Sequence, residues 1–220
     1  ISIMTSVKTA DETYATQFNS VRFQGRSFIG VVLRRRFSAI AAVDNTGCPR
    51  IIYNRDGSNR TPSVISFMDD GCIKVGEEAR RSLYIDPHTV GNFLPHLGTK
   101  KTYQARGRTY TPTDLSQYLL AELMKDAEGA VGGLGQAVVT IPAILSDKAR
   151  DATMQAARDA GLDVRHIINC PTAAALYYVC RSSREIIGNY AVYDLGRDTF
   201  EITIVRLSGQ KVDVLATNGV

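Results

Sequence analysis

Three consecutive arginines, Arg34-Arg35-Arg36, interrupt an apolar run that starts at Phe28 and resumes at Phe37. Guanidinium groups crowded onto one turn have a ready chemistry, the capture of phosphate or carboxylate oxygens. The triplet reads equally as a solvated hairpin corner, because exposed charges contribute little by themselves. Other reactive groups offer less. Cys170 directly precedes Pro171, and a thiol at a helix N-terminus ionises more easily; an inert buried thiol accounts for it as well. His88, His96 and His166 lack ligand spacing, and Cys48, Cys72, Cys170 and Cys180 form no CxxC pair, so no metal site is predicted. Tyr177-Tyr178 could stack on bases, but their helical spacing suits packing.

The 220 residues suffice for one large domain or two small lobes. A hydrophobic share of 44% against 22% charged residues reads as globular and soluble, with reduced thiols. Apolar runs are too short to span a bilayer, so no membrane partner is expected. The net charge of +4 is unevenly placed. Residues 1–60 hold nine basic and four acidic side chains, a balance of +5, and the remainder is close to neutral. Such asymmetry suits an acidic protein surface or nucleic acid, or simply a solvated basic face.

Residues 1–27 are polar and aperiodic, an expected extended arm; its start at Ile1 suggests a removed segment, and Asp11 and Glu12 argue against an intact presequence. Residues 28–33, 38–43 and 50–53 predict a three-strand meander with an Asp44-Asn45-Thr46-Gly47 turn. A strand over 62–67 follows, then a helix within 73–85 that stops before Pro87, then an irregular stretch to 112. Leu115, Tyr118, Leu119, Leu123 and Ala127 mark one face of a helix capped by Thr113 and ended at Gly129. A strand over 137–141, buried on both faces, leads to a helix from Ser146 to Gly161, a strand over 164–168 and a helix opening at Pro171. Strands over 190–193, 200–207 and 212–215 repeat the meander. The order reads as duplicated α/β.

Several segments resemble the ATPase domain of the seventy-kilodalton heat-shock chaperones, within the actin–hexokinase superfamily. They include Gly57-Ser58-Asn59-Arg60-Thr61-Pro62-Ser63-Val64, Val139-Thr140-Ile141-Pro142-Ala143, Pro171-Thr172-Ala173-Ala174-Ala175-Leu176 and Val192-Tyr193-Asp194-Leu195-Gly196. They run collinearly over about residues 28–220 and are most similar to bacterial and mitochondrial members. The resemblance implies an actin-like ATPase (ribonuclease H-like) fold of two duplicated meander/α lobes. Residues 28–168 would form the first, and 169–220 the start of a second, incomplete one. Pro142 and Arg150 match family positions that relay nucleotide state, and retained packing explains them as well.

The departures from the family pattern fall on its nucleotide site. A family Asp-Leu-Gly-Thr-Thr turn aligns with Val32 at the acid, Arg34 at the glycine, and Arg35 and Arg36 at the threonines. Glycine would admit phosphate to the backbone, often with positive φ, and arginine fills that space. Leu94 takes the place of the catalytic lysine and Cys170 that of a carboxylate. The second motif becomes Asp194-Leu195-Gly196-Arg197-Asp198-Thr199-Phe200-Glu201, which keeps Asp194, Gly196 and Thr199 for nucleotide, should binding survive.

The resemblance with these losses implies no catalytic residue and no cofactor, the alternative being ATP or ADP with Mg²⁺. The expectation is a degenerate scaffold or structural subunit whose protein partners cover a truncated lobe. RNA contact would run through the basic N-terminal third, with Arg34, Arg35 and Arg36 as the interaction residues. A mitochondrial ribonucleoprotein in the matrix fits this reading; the cytoplasm is the alternative location. A fragment of a working ATP-dependent chaperone is the competing function, and a module that binds chaperone cofactors a third.

Overall fold

A computed structural model describes residues 2–4, by backbone only, with 27–43, 47–196, 200–209 and 211–219. The rest of the expected 1–27 arm, the Asp44-Asn45-Thr46 turn and Arg197-Asp198-Thr199 lie outside the described residues. In chain order the strands begin with β1 (Ser2–Met4), β2 (Ser27–Val32), β3 (Phe37–Val43), β4 (Pro49–Ile51), β5 (Thr61–Pro62), β6 (Val64–Phe67) and β7 (Ile73–Val75). Helix α1 (Glu77–Arg80), β8 (Thr89–Gly91), a 3₁₀ turn over Leu94–His96, β9 (Tyr103–Ala105) and β10 (Arg108–Tyr110) follow. Then come α2 (Pro112–Val131), β11 (Leu134–Ile141), α3 (Asp147–Asp159), β12 (Asp163–Asn169) and α4 (Cys170–Arg181). The chain closes with β13 (Ile187–Leu195), β14 (Phe200–Ser208) and β15 (Lys211–Gly219).

The residues divide into two compact units. The larger takes in the described residues among 27–139 and 145–167. It is built on a sheet ordered β12-β11-β2-β3-β4, with β5 paired to β3. The first meander is antiparallel, with Ile29 opposite Ala42 and Val32 opposite Ala39. Alternation buries Ile29 and Val31 from β2 and Ile40 and Ala42 from β3. These meet Leu115, Leu119, Leu123 and Ala127 of α2, the stripe its spacing predicts. Tyr118 stands at the edge of that stripe, its ring edge-on to Phe67. Strand β11 alternates buried with half-buried residues rather than hiding both faces.

Three boundaries differ from the sequence reading. Only four of the residues expected in the 73–85 helix are helical, because Ile73–Val75 pair with β6 instead and Gly76, at φ 79°, turns the chain. The cap of helix α2 lies two residues before the expected Thr113. Thr111 accepts from Asp114 N while the Asp114 carboxylate takes the Thr111 N–H, and Pro112 stands just inside the helix. It ends at Gly132, left-handed at φ 74°, past the small but helix-compatible Gly129. Helix α3 follows expectation: Ser146 Oγ accepts from Ala149 N and Gly161, at φ 89°, stops it.

The smaller unit comprises the described residues among 2–4, 140–144 and 168–219. Its sheet is ordered β1-β13-β14-β15, with β1 parallel to β13 and the three later strands antiparallel. Ala175 of α4 packs on Val192, Val205 and Leu207. Cys170, expected just outside that helix, is its first residue.

Gly98 shows the tightest backbone approach in the larger unit. A Cβ there would lie 2.5 Å from Ala149 N and 2.5 Å from the Lys148 carbonyl carbon, and the residue sits at φ 72°. Backbone cannot yield as a flexible side-chain tip can. Gly98→Ala is therefore expected to destabilise the chain by about 2–4 kcal/mol, read as a lower urea midpoint at unchanged slope.

Candidate functional site

The arginine turn lies where β2 hands over to β3. Phe37 and Ser38 pair with Pro62 and Thr61 of β5, which draws the turn against Ser63. Ser63 Oγ donates to Arg34 O (2.8 Å) and Ser63 N donates to Arg36 O (2.8 Å). Its hydroxyl also meets that of Ser38 (3.0 Å), which in turn accepts from Arg34 N (3.4 Å). Both serines are buried. Arg34 is half-buried, and Arg35 and Arg36 are exposed.

The backbone of this turn corrects one expectation. Among the described residues other than glycine, positive φ is confined to Tyr84, Asn92 and Arg106. Arg34, Arg35 and Arg36 thus occupy ordinary backbone, and the position does not demand glycine's freedom. What arginine changes here is bulk and charge, not the chain trace.

Residues 92–103 come to the turn from the other side. Arg35 Nε donates to Asn92 Oδ1 at 2.5 Å, and Asn92 holds a left-handed φ of 55°, which its short amide tolerates. Lys101 donates from Nζ to His96 Nε2 at 2.9 Å and lies over the Tyr103 ring at 5.2 Å. Arg60 lies over Phe37, 5.3 Å from its centroid. Partial burial pushes the His96 ring below its ordinary value of 6.5, with Lys101 and then Arg35 adding to the shift. Other arginines are neutralised: Arg55 by Glu122 and Asp126, Arg80 by Glu77, and Arg106 by Asp69 and Asp86. Among the described residues no ion pair is recorded for Arg35, Arg36, Arg60 or Lys101. Sequence reasoning missed this convergence because it joins segments about sixty positions apart in an irregular stretch.

The remaining candidates are scattered. Val32 is half-buried and Leu94 is buried in the core of the larger unit. Neither side chain carries an atom that could hold a metal or a phosphate. Arg150 Nη1 donates to Ile167 O (2.9 Å). In the smaller unit Cys170 is buried at the start of α4, and Asp194 lies on β13 opposite Glu201. Gly196 follows that strand, and Thr199 lies outside the described residues. Tyr177 and Tyr178, expected to pack, are exposed. Among the described residues no group of three His, Cys, Asp or Glu could hold a metal ion, and no helix is long and apolar enough to cross a membrane.

Glu201 had no assigned role from the sequence. Strand β14 turns Glu201, Thr203, Val205 and Leu207 inward, so the register itself buries a carboxylate. Its Oε2 accepts from Ala143 N (3.1 Å), and its Oε1 is buried with no hydrogen-bond partner among the described residues. Gly219 closes over it: a Cβ there would sit 2.8 Å from Ile144 Cγ2 and 3.0 Å from Glu201 Cγ. An acid in the inward register of a β-branched strand was the available signal.

The comparisons agree with this picture of an α/β nucleotide-binding framework. The family model described as Hsp70 protein matches residues 28–105 and 98–220. The chain belongs to the Hsp70 family, whose nucleotide-binding fold is actin-like. It is 39% identical over 193 residues to the chaperone protein DnaK of Mycoplasmopsis pulmonis, covering 87% of this chain and 32% of that protein. It is 39% identical over 194 residues to the chaperone protein DnaK of Thermotoga neapolitana, with the same coverage. The chain thus spans about a third of the length of these curated relatives.

The His96 environment sets a pH dependence. A ring that protonates less readily folded than unfolded leaves the unfolded chain binding more protons below pH 6.5. Its contribution is complete above that pH, declines as pH falls toward the depressed folded value, and then levels off. Urea midpoints measured from pH 7.5 to 5 should therefore fall less steeply for His96→Gln than for the parent.

Proposed function

We propose that this chain is a non-hydrolysing member of the Hsp70 family, used as a scaffold subunit of a larger assembly, with a ribonucleoprotein as the assembly its charge suits. In this reading the two duplicated meander/α lobes persist as a framework without a working nucleotide site. One observation carries it: the β2–β3 turn delivers three arginines where the family resemblance calls for a small phosphate turn. Val32 and the core-buried Leu94 supply neither carboxylate nor lysine. Positioning and charge neutralisation account for nearly all of phosphoryl-transfer catalysis, and loss of one such group typically costs about 10²–10³ in rate. The residues present do not fit a magnesium nucleotide.

The partner in this proposal is protein as well as RNA. Ile187, Tyr193 and Leu195 lie on one face of β13 and leave apolar side chains open to solvent, Leu195 at 79%. Exposed apolar clusters of this kind mark interaction surfaces. The overall identity to two DnaK chaperones favours a second reading, a segment of an ATP-dependent chaperone. Isothermal titration separates the two. The proposal expects no saturable heat with MgATP or MgADP; micromolar affinity for either would sink it.

A further inference from the structure

We propose that the strip running through Tyr103, Lys101, His96, Arg35, Arg36, Phe37 and Arg60 binds single-stranded RNA. The inference rests on the assembly reading above and names the partner of the same turn.

The strip is continuous. Arg60 lies over Phe37, Phe37 follows Arg35 and Arg36 on the turn, Arg35 donates to the Asn92 amide oxygen, and the Asn92 carbonyl accepts from the Tyr103 hydroxyl at 3.5 Å. His96 accepts from Lys101, and Lys101 lies over Tyr103. Cations from three segments thus border one strip: Arg35 and Arg36 on the turn, Arg60, and Lys101. Like charges on one surface repel, and among the described residues no carboxylate pairs with these four, so an arriving anion relieves the repulsion. The groups that position them are neutral: an amide oxygen of Asn92 and a ring nitrogen of His96. Such acceptors fix the side chains without consuming their charge.

The alternation of rings and cations favours nucleic acid over an acidic protein. Phosphates of a single strand track a basic groove while its bases stack on aromatic or guanidinium planes. Phe37 and Arg60 form one such platform at one end, and Tyr103 with Lys101 another at the other. A duplex hides its base faces and gains nothing from either platform. Four phosphate contacts on a single strand give a slope of about −3 in log K against log salt.

Fluorescence anisotropy on the whole 220-residue chain tests this, with a labelled RNA of about 12 nucleotides, its duplex, inorganic polyphosphate and poly-glutamate as probes. Single-stranded RNA should bind tightest, with that salt slope. Arg35→Gln/Arg36→Gln/Lys101→Gln, all at exposed positions, should weaken it about tenfold or more and flatten the slope by about 2. Phe37→Leu should weaken RNA about fivefold and leave polyphosphate unchanged. Undiminished binding by the triple variant overturns the proposal. So does equal affinity for duplex or polyphosphate with no effect at Phe37, which makes the strip a generic anion surface. Preference for poly-glutamate overturns it in favour of an acidic protein. Circular dichroism confirms that the variants fold. Nucleotide titration is a separate readout, so RNA binding can fail while the scaffold reading stands, and the reverse.

Discussion

One buried serine fixes the feature on which the rest turns. Ser63 bonds the arginine turn three times: its hydroxyl to the Arg34 carbonyl and to Ser38, and its amide to the Arg36 carbonyl. Each bond contributes only about 0.5–1.5 kcal/mol net, but an unmade one would strand a buried polar group at about 1–3 kcal/mol. The turn therefore holds its path whatever side chains it carries. Arg35 and Arg36 are presented outward from a turn that backbone and hydroxyl groups hold in place.

That independence lets the sheet keep its path while the turn between its strands carries bulky cations. The strands β2 and β3 bury Ile29, Val31, Ile40 and Ala42 against α2, so the sheet is stabilised from beneath. Above it, Asn92 and His96 hold Arg35 and Lys101 by neutral acceptors. Core and surface thus answer to separate constraints: apolar complementarity below, electrostatic arrangement above. In the smaller unit the separation is less clean, because Glu201 brings a carboxylate into the inward register of β14.

Much of the framework was legible because it follows local rules. Period-two runs gave both meanders, and the Leu115-to-Ala127 stripe gave α2 with its buried face. Ser146 and Gly161 gave both ends of α3. The misplaced boundaries came from competing local signals: Thr111 with Pro112 and Asp114 outranks Thr113 as a cap, and Gly132 outranks Gly129 as a stop. The 73–85 helix was lost to tertiary pairing, since Ile73–Val75 found a strand partner in β6. The site was legible only in halves. The arginine triplet announced itself, whereas its neighbours Asn92, His96 and Lys101 lie in a stretch without periodicity. Only long-range packing brings them to the turn. Glu201 was readable from alternation, but an acid within a familiar motif drew no separate notice.

Leu94 has a consequence for what its position can hold. Its side chain fills the hydrophobic interior beside Phe93 and Leu97. A lysine placed there would have to carry an ammonium group into an apolar interior, at a cost of several kcal/mol. Any charged group at this point of the chain would thus have to reshape the core before it could serve a ligand.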